Sequence, residues 1–275
     1  MDTTEKRSHN QNIHPFSPYP LKPITKRHDM KTIFTLMTAL LSLSVATAAP
    51  EAGSTAEKDN TLVWTFTPDP DLPNVLILGD SISIGYTLQV RGLLQGKANV
   101  FRPMGRNENR RENCGGTTYG LENIDRWLAV QNWDVIHFNW GLHDLKHVKT
   151  AGSNDKSNDP NDPTQATLEQ YTENMKVLVS KLKATGARLV FATTTPIAPG
   201  TLNPLRTPEA PVRYNAAALE IMKANEIRVN DLHAFCEPHL KEWQKPRNCH
   251  FHPIGSEALA KQVSAVIAEE LGLAD

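Results

Sequence analysis

The chain has 275 residues, 39% of them hydrophobic and 21% charged, with a formal net charge of −1 at pH 7. This composition is typical of a folded domain with a sizeable core and excludes a disordered or fibrous chain. Because basic and acidic residues nearly balance and form no basic stripe, a nucleic-acid partner is not expected.

The first element in chain order is a predicted targeting segment. Residues 30–48 combine a basic start, an apolar run and small residues that end at Ala48, which is typical of a secretory signal peptide. Residues 1–29 lack apolar periodicity, and we interpret them as a disordered or mis-assigned leader. Cleavage would leave a linker over 49–72 and one domain over 73–275. We therefore expect a secreted or periplasmic bacterial protein with no stable membrane anchor after cleavage.

From residue 74 onward, short apolar runs alternate with amphipathic segments. Such alternation is typical of an α/β domain with a mostly parallel sheet. Apolar residues three or four apart predict one helix over 168–182 and continue over 259–271 in a last helix that is predicted to begin at Pro253. The fold class is thus predicted to be a three-layer α/β/α sandwich with a five-stranded sheet. Its strands are predicted at 75–78, 99–102, 135–138, 188–192 and 227–229.

Two loops are expected near a ligand. Residues 151–163 are polar and aperiodic, which predicts a solvated surface insertion, and residues 195–211 form a proline-rich segment after the fourth strand. Loops at the carboxyl ends of parallel strands line the ligand crevice of an open sheet. Both loops are therefore predicted to wall the substrate site.

Ser81 directly follows the first predicted strand, in the stretch NVLILGDSISIGY over 74–86. A residue there stands in the crevice and at a helix N-terminus, where free amides favour negative charge. Its hydroxyl can attack a carbonyl, although a serine at this position can also be only a helix N-cap. Two further stretches distinguish these readings: WGLHD over 140–144 follows the third strand, and His250 precedes the last helix.

Taken together, GDSIS, CGGTTYG, GLHD and CHFHPIGSEAL occur in an order that resembles the SGNH or GDSL hydrolase family, over about residues 74–271. The resemblance implies a flavodoxin-like SGNH hydrolase fold and an esterase without metal or other cofactor. It implies that Ser81 is the nucleophile and one backbone oxyanion-hole donor, and that His250 is the base. Gly115 or Gly116 would supply a second backbone donor, and we choose Gly115 because it follows Cys114.

The chain departs from the family pattern at two places. The family usually has Gly-x-Asn-Asp in its third block, with the Asn amide as an oxyanion donor; here His143 holds that position, with Asn139 as the alternative donor. The family also places an Asp two or three residues before the catalytic His, where this chain has Arg247 and Asn248. The side-chain carbonyl of Asn248, or a backbone carbonyl, would then orient His250.

Five other side chains receive predictions from their places beside these motifs. Asp80 and Trp140 are predicted to contact the substrate. Trp127 and Trp133 are predicted to be packing residues. His252 precedes Pro253 and is predicted to cap the last helix.

The three cysteines, Cys114, Cys236 and Cys249, form neither a CxxC pair nor a zinc-ligand spacing. A structural metal is therefore not expected. A disulfide between Cys236 and Cys249 and three buried thiols are both compatible with the sequence.

The resemblance implies that the chain hydrolyses esters. Secretion and the lack of an apolar lid favour a polar ester, and the chain looks most like bacterial enzymes that remove acetyl groups from plant or algal polysaccharides. Family members also cleave lysophospholipids and thioesters, so a lipid hydrolase is one alternative. A degenerate carbohydrate-binding protein is the other, motivated by His143 and Asn248. The expected partner is a small-molecule or polysaccharide ester, and the sequence does not indicate an oligomeric state.

Overall fold

The computed structural model describes residues 64–106, 110–200 and 202–273. The predicted leader, the predicted signal peptide and residues 49–63 of the predicted linker lie outside these ranges. Within them, no helix is long and apolar enough to cross a membrane.

The sheet has five strands, all parallel, in the order β2-β1-β3-β4-β5. Strands β1 and β3 lie at its centre, and their apolar runs are buried because helices cover both faces of the sheet. The chain reverses its winding between them, and the crevice at the carboxyl ends of such strands is the usual ligand site. The predicted parallel sheet is confirmed, with strands β1 (Asn74–Leu78), β2 (Asn99–Phe101), β3 (Val135–Phe138), β4 (Arg188–Ala192) and β5 (Arg228–Asn230).

Helices form a layer on each face of the sheet, which confirms the predicted three-layer sandwich. In the described part of the chain they are α1 (Ser81–Leu93), α2 (Thr117–Leu128), α3 (Leu168–Lys183), α4 (Glu209–Ala224), α5 (Leu232–Cys236), a 3-10 turn (Glu237–His239), α6 (Leu240–Trp243) and α7 (Pro253–Leu271). Helix α1 packs against α7 in one layer, whereas α3 packs between α2 and α4 in the other.

The observed elements differ from the predicted ones mainly at their ends. Strand β2 ends at Phe101 because Arg102 turns into the interior, where its guanidinium bonds backbone carbonyls. Helix α7 begins at Pro253 and has His252 as its N-cap, both as predicted. Proline suits the first helical position because it has no N–H to leave unpaired.

Residues 64–72, part of the predicted linker, pack against the domain. The indole of Trp64 is buried, and its backbone carbonyl accepts a hydrogen bond from Arg91 Nη1. The Asn99 side chain accepts from the Asp69 N–H at 2.9 Å and donates to the Asp69 carbonyl at 2.8 Å. This segment therefore extends the folded unit before β1.

The two loops predicted near the ligand are held in place by local contacts. In the polar loop, Lys156 pairs with Val148 in a short antiparallel bridge, and the buried Ser157 hydroxyl donates to the Asp162 carboxylate. The loop is mostly exposed, as expected, but it is anchored. In the proline-rich loop, Ile197 and Leu202 are buried in the core.

The two tryptophans predicted to be packing residues and the three cysteines are all buried. Trp127 and Trp133 are buried, which confirms that they are packing residues. All three cysteines are buried free thiols, so the structure shows thiols and not the alternative disulfide. Burial raises the pKa of Cys114 to about 11, which keeps that thiol protonated at neutral pH.

Candidate active site

Ser81 is the first residue of α1 and directly follows the turn after β1. The cap of this helix is Asp80, whose Oδ1 accepts a hydrogen bond from the Ile82 N–H at 2.8 Å. Ser81 is therefore not the capping residue. Its hydroxyl is free to bond elsewhere, while its amide lies in the first turn, where unpaired N–H groups favour negative charge.

Beneath this turn lies Arg102, which the sequence analysis did not single out. Its buried guanidinium donates to the Gly79 carbonyl at 2.6 Å, to the Glu112 carbonyl at 2.9 Å and to Ser83 Oγ at 2.7 Å. A Cβ at Gly79 would lie only 2.8 Å from Ser83 Oγ, so the turn requires glycine. A basic residue at the end of an otherwise apolar strand was the available sequence signal.

The structure brings Ser81, His250 and Asn248 into one hydrogen-bonded chain. His250 Nε2 lies 2.7 Å from Ser81 Oγ, and His250 Nδ1 lies 2.6 Å from Asn248 Oδ1. An amide oxygen can only accept, so Nδ1 carries the proton and the Nε2 lone pair points to the serine hydroxyl. This is the arrangement in which an imidazole can remove a proton from serine.

A tight loop before α7 holds Asn248 against the ring. The Lys245 N–H donates to the His250 carbonyl at 2.9 Å, and the His250 N–H donates to Asn248 Oδ1 at 3.0 Å. Between Lys245 and His250, Arg247 adopts a φ of +50°, a left-handed conformation that few non-glycine residues take. The loop thus turns back on itself, which allows Asn248 to reach a ring only two residues away.

The electrostatic surroundings keep His250 neutral. Burial lowers the pKa of His250 below its ordinary value of 6.5, and Lys245 and Arg206 lower this pKa further, whereas Asp80 opposes them. At neutral pH the unprotonated ring therefore dominates, which is the form that a general base requires.

The predicted third oxyanion donors have different surroundings. Asn139 Nδ2 donates to the Ala192 carbonyl at 2.8 Å, so its amide is engaged within the sheet. His143 instead lines the same cavity as Ser81. Burial lowers the pKa of His143 to about 4, so the ring is neutral and carries one N–H donor.

The two glycines proposed as backbone donors lie beside the cavity. Gly115 has a φ of +61°, and its N–H donates to Asn113 Oδ1 at 2.9 Å. Gly116 is the N-cap residue of α2 and packs against the Asp144 carboxylate. The Gly115 amide is thus available to an oxyanion only when Asn113, which also lines the cavity, releases it.

Asp144 joins the third sequence block to the second. Its Oδ1 accepts from the Thr117 N–H at 2.8 Å and from the Thr117 hydroxyl at 2.5 Å. Burial raises the pKa of Asp144 to about 6, against the effect of these hydrogen bonds. The contact holds the start of α2 beside the loop after β3.

Trp140 has a structural position instead of the predicted substrate contact. Its side chain is 0% exposed, and its Nε1 donates to the Cys114 carbonyl at 3.2 Å. The indole packs on Gly120, where a Cβ would lie 3.0 Å from the ring. The position next to the third block suggested exposure, but packing against α2 leaves the ring no surface to offer a substrate. Asp80, the other predicted contact, is buried but lines the cavity.

Ser81 and His250 open onto a cavity of about 380 Å³. Asn113 and His143 line both this cavity and a neighbouring polar groove of about 320 Å³. Four basic side chains that the sequence analysis did not assign to the site also line the cavity: Lys146, Lys156, Arg206 and Arg247. Lys156 and Arg206 belong to the two loops predicted to wall the site, which was the available signal. Among the described residues, no three His, Cys, Asp or Glu side chains are placed to hold a metal ion.

Known proteins similar to this chain indicate its family and its fold. The family model described as the GDSL-like lipase/acylhydrolase family matches residues 77–258, which include Ser81, His143, Asn248 and His250. No curated protein matches the chain. The three solved structures described below are each less than 20% identical to this chain, so these likenesses concern the fold.

Three solved structures represent the fold. The chain is similar to a lipase/acylhydrolase from Enterococcus faecalis, with a TM-score of 0.56, 18% identity and coverage of 72% of this chain and 96% of that chain. It is similar to Axe2, an acetylxylan esterase from Geobacillus stearothermophilus, with a TM-score of 0.53, 17% identity and coverage of 73% and 94%. It is also similar to the acetyl xylan esterase AlAXEase, with a TM-score of 0.54, 14% identity and coverage of 70% and 99%.

Proposed function

The chain belongs to the GDSL-like lipase/acylhydrolase family and is a carboxylic ester hydrolase, and on this premise we propose that it is a serine esterase that removes a short acyl group, acetyl above all, from a carbohydrate. The observation that carries the proposal is the chain of contacts from Ser81 Oγ to His250 Nε2 at 2.7 Å and from His250 Nδ1 to Asn248 Oδ1 at 2.6 Å. These contacts join a nucleophile, a base and an orienting group.

In the acylation step, His250 Nε2 takes the proton of Ser81 as Oγ attacks the ester carbonyl. The negative charge that develops on the carbonyl oxygen is stabilised by the Ser81 N–H and by His143, and by the Gly115 N–H once Asn113 releases it. Collapse of the tetrahedral intermediate breaks the bond to the alcohol, which leaves with the proton from His250. Water, activated by the same ring, then hydrolyses the acyl-enzyme and restores Ser81.

Asn248 replaces the usual carboxylate as the group that orients His250. Its Oδ1 selects the correct ring tautomer, as a carboxylate would, because both only accept at this contact. It does not add the negative charge that would stabilise the imidazolium formed during the reaction. In a serine protease, an Asp-to-Asn change that spoils the tautomer lowers turnover by ~10⁴. Because the tautomer is preserved here, we expect the presence of Asn248 in place of an Asp to lower the turnover of this esterase by much less than ~10⁴.

The residues that line the cavity support a short acyl group. Its apolar lining side chains are few, namely Leu142, Leu202, Pro204 and Cys249, among many polar and charged ones. A long acyl chain would find little apolar surface to bury, and burial is what makes such chains bind. The polar groove next to the cavity suits a sugar, and two of the similar solved structures are described as acetyl xylan esterases.

The test is hydrolysis of 4-nitrophenyl esters from acetate to octanoate by the full chain, its Ser81→Ala variant and a Ser180→Ala control on the exposed face of α3. We expect the highest kcat/KM on acetate, a fall with chain length, and a loss of at least ~10³-fold in the Ser81→Ala variant only. A preference for octanoate would indicate a lipid hydrolase. Equal rates in all three proteins would contradict the catalytic role of Ser81, and no hydrolysis above background by any of them would favour a binding protein.

A further inference from the structure

The cavity at Ser81 carries more positive charge than hydrolysis of a neutral ester requires. Lys146, Lys156, Arg206 and Arg247 all line it, and the carboxylate in its wall is Asp80. Lys156 and Arg247 are exposed at its edge, but Lys146 and Arg206 are only 6% and 8% exposed. Burying a cation is costly unless a negative group accompanies it, so the two buried cations need an explanation.

Among the described residues, Arg206 has no ion-pair partner. Its Nε donates to the Leu142 carbonyl at 2.8 Å, and its Nη1 lies 3.5 Å from the Pro204 carbonyl. Within the described residues nothing accepts from Nη2, and no carboxylate oxygen lies within 4.0 Å of the guanidinium. One side of the fork is thus fixed by carbonyls, and Nη2 remains available to a ligand.

Lys146 is also a buried cation without an ion-pair partner among the described residues. Its Nζ donates to Asn154 Oδ1 at 3.3 Å, a neutral acceptor, and it forms no ion pair with the described carboxylates. Burial lowers the pKa of Lys146, and the nearby Arg206 lowers this pKa further, while Asp144 opposes both from a distance. The two buried cations therefore repel each other across the cavity, and a bound anion would relieve that repulsion.

We propose that Lys146 and Arg206 bind a carboxylate of the substrate, so that the enzyme acts on esters whose molecule carries a negative charge beside the ester. One ammonium and one free guanidinium N–H supply two donors, which matches the two oxygens of one carboxylate. The inference rests on the proposed function and names its substrate class. The carboxylate can belong to the sugar, as in an acetylated uronic acid, or to the acyl group, as in a half-ester of a dicarboxylic acid.

Two substrate pairs distinguish these sources. The first compares an acetylated methyl galacturonide as free acid with its neutral methyl ester; the second compares 4-nitrophenyl hemisuccinate with 4-nitrophenyl butyrate. We expect kcat/KM for the acid to exceed that for its neutral partner by at least ~10-fold in one pair, which identifies the source. In Lys146→Met and Arg206→Gln this ratio should fall about tenfold, chiefly through KM, whereas Lys176→Met on the exposed face of α3 should leave the ratio unchanged.

A binding measurement separates failure of this inference from failure of the proposed function. Calorimetry on the full-length Ser81→Ala variant, with oligogalacturonate and succinate against a neutral xylo-oligosaccharide, does not depend on turnover. Tighter binding of an acid, weakened by Lys146→Met in the same background, would support the carboxylate site even if no ester were cleaved. Equal rates within both substrate pairs, or no preference for acids in binding, would overturn the inference while leaving ester hydrolysis at Ser81 intact.

Discussion

At the scale of single residues, the site depends on an amide where a carboxylate usually lies. Asn248 Oδ1 contacts His250 Nδ1 at 2.6 Å and also accepts the His250 N–H at 3.0 Å. The amide therefore orients the ring but adds no charge. Since burial already lowers the pKa of His250, the ring stays unprotonated down to a lower pH than an ordinary histidine would.

Replacing Asn248 with Asp should restore the missing charge. A carboxylate at this contact favours the imidazolium, so we expect the pKa of His250 to rise and kcat on 4-nitrophenyl acetate to increase by ~10-fold or more. In the wild type, kcat/KM should fall on acidification with a midpoint below 6.5, and in Asn248→Asp this midpoint should move to higher pH. The measurement is the pH profile of both proteins.

Asn132→Asp is the matched control for this change, because Asn132 is exposed and precedes β3 outside the catalytic cavity. It adds the same charge away from the ring and should leave the midpoint in place. An unchanged midpoint in Asn248→Asp would show that another group orients His250.

At the scale of elements, one buried side chain links the strands and turns that carry the site. Arg102 follows β2 and donates to carbonyls in the turn before α1 and in the segment before α2. The Cys114 N–H also donates to the Gly79 carbonyl, at 3.1 Å, so the same two segments meet twice. The position of Ser81 relative to Gly115 and Gly116 therefore depends on Arg102, a residue that does not contact His250.

Arg102→Met should disrupt this link. The Glu112 carbonyl would lose both of its hydrogen bonds from the guanidinium, at 2.9 and 3.1 Å. Hydrogen bonds to charged groups contribute ~1.5–3 kcal/mol each, and we expect the free energy of unfolding to fall by ~2–4 kcal/mol. Urea unfolding measures this, with the exposed Arg188→Met on β4 as the control. A loss no larger than that of the control would contradict the role assigned to Arg102.

At the scale of the whole molecule, the charge of the chain and the charge of its cavity have opposite signs. The net charge of the chain is −1, whereas the cavity wall carries four basic side chains beside one carboxylate. A concave cationic site attracts anions even on a nearly neutral protein, because the local field and not the total charge guides the approach.

This charge arrangement predicts a salt dependence that differs between substrates. Added salt screens attraction between charges, and the screening length falls from ~20 Å at ~20 mM to ~4 Å at ~0.5 M. We expect kcat/KM for the preferred acid to decrease several-fold over this range, while kcat/KM for 4-nitrophenyl butyrate stays nearly constant. Parallel declines for the acid and the neutral ester would point to a general effect of salt on the protein instead.

The sequence alone predicted the secondary-structure elements more completely than it predicted the contacts of the site. The apolar runs of β1 and β3 and the periodicity of α3 predicted buried strands and a packed helix because these patterns involve neighbouring residues. The end of β2 was predicted one residue too far along the chain, since it depends on Arg102 turning inward. The candidate pair Ser81 and His250 came from ordered motifs, and the structure brings the two within hydrogen-bond distance.

By itself, the sequence determined the fold class, the family and the order of the motifs, because local patterns and motif spacing are written along the chain. Tertiary structure alone decided that Trp140 is buried and that the Asn139 amide donates to a carbonyl within the sheet. It also brought Lys146 and Arg206, sixty residues apart in the chain, into one cavity. Contacts between such distant residues depend on how helices and loops pack around the sheet, and no local pattern encodes that packing.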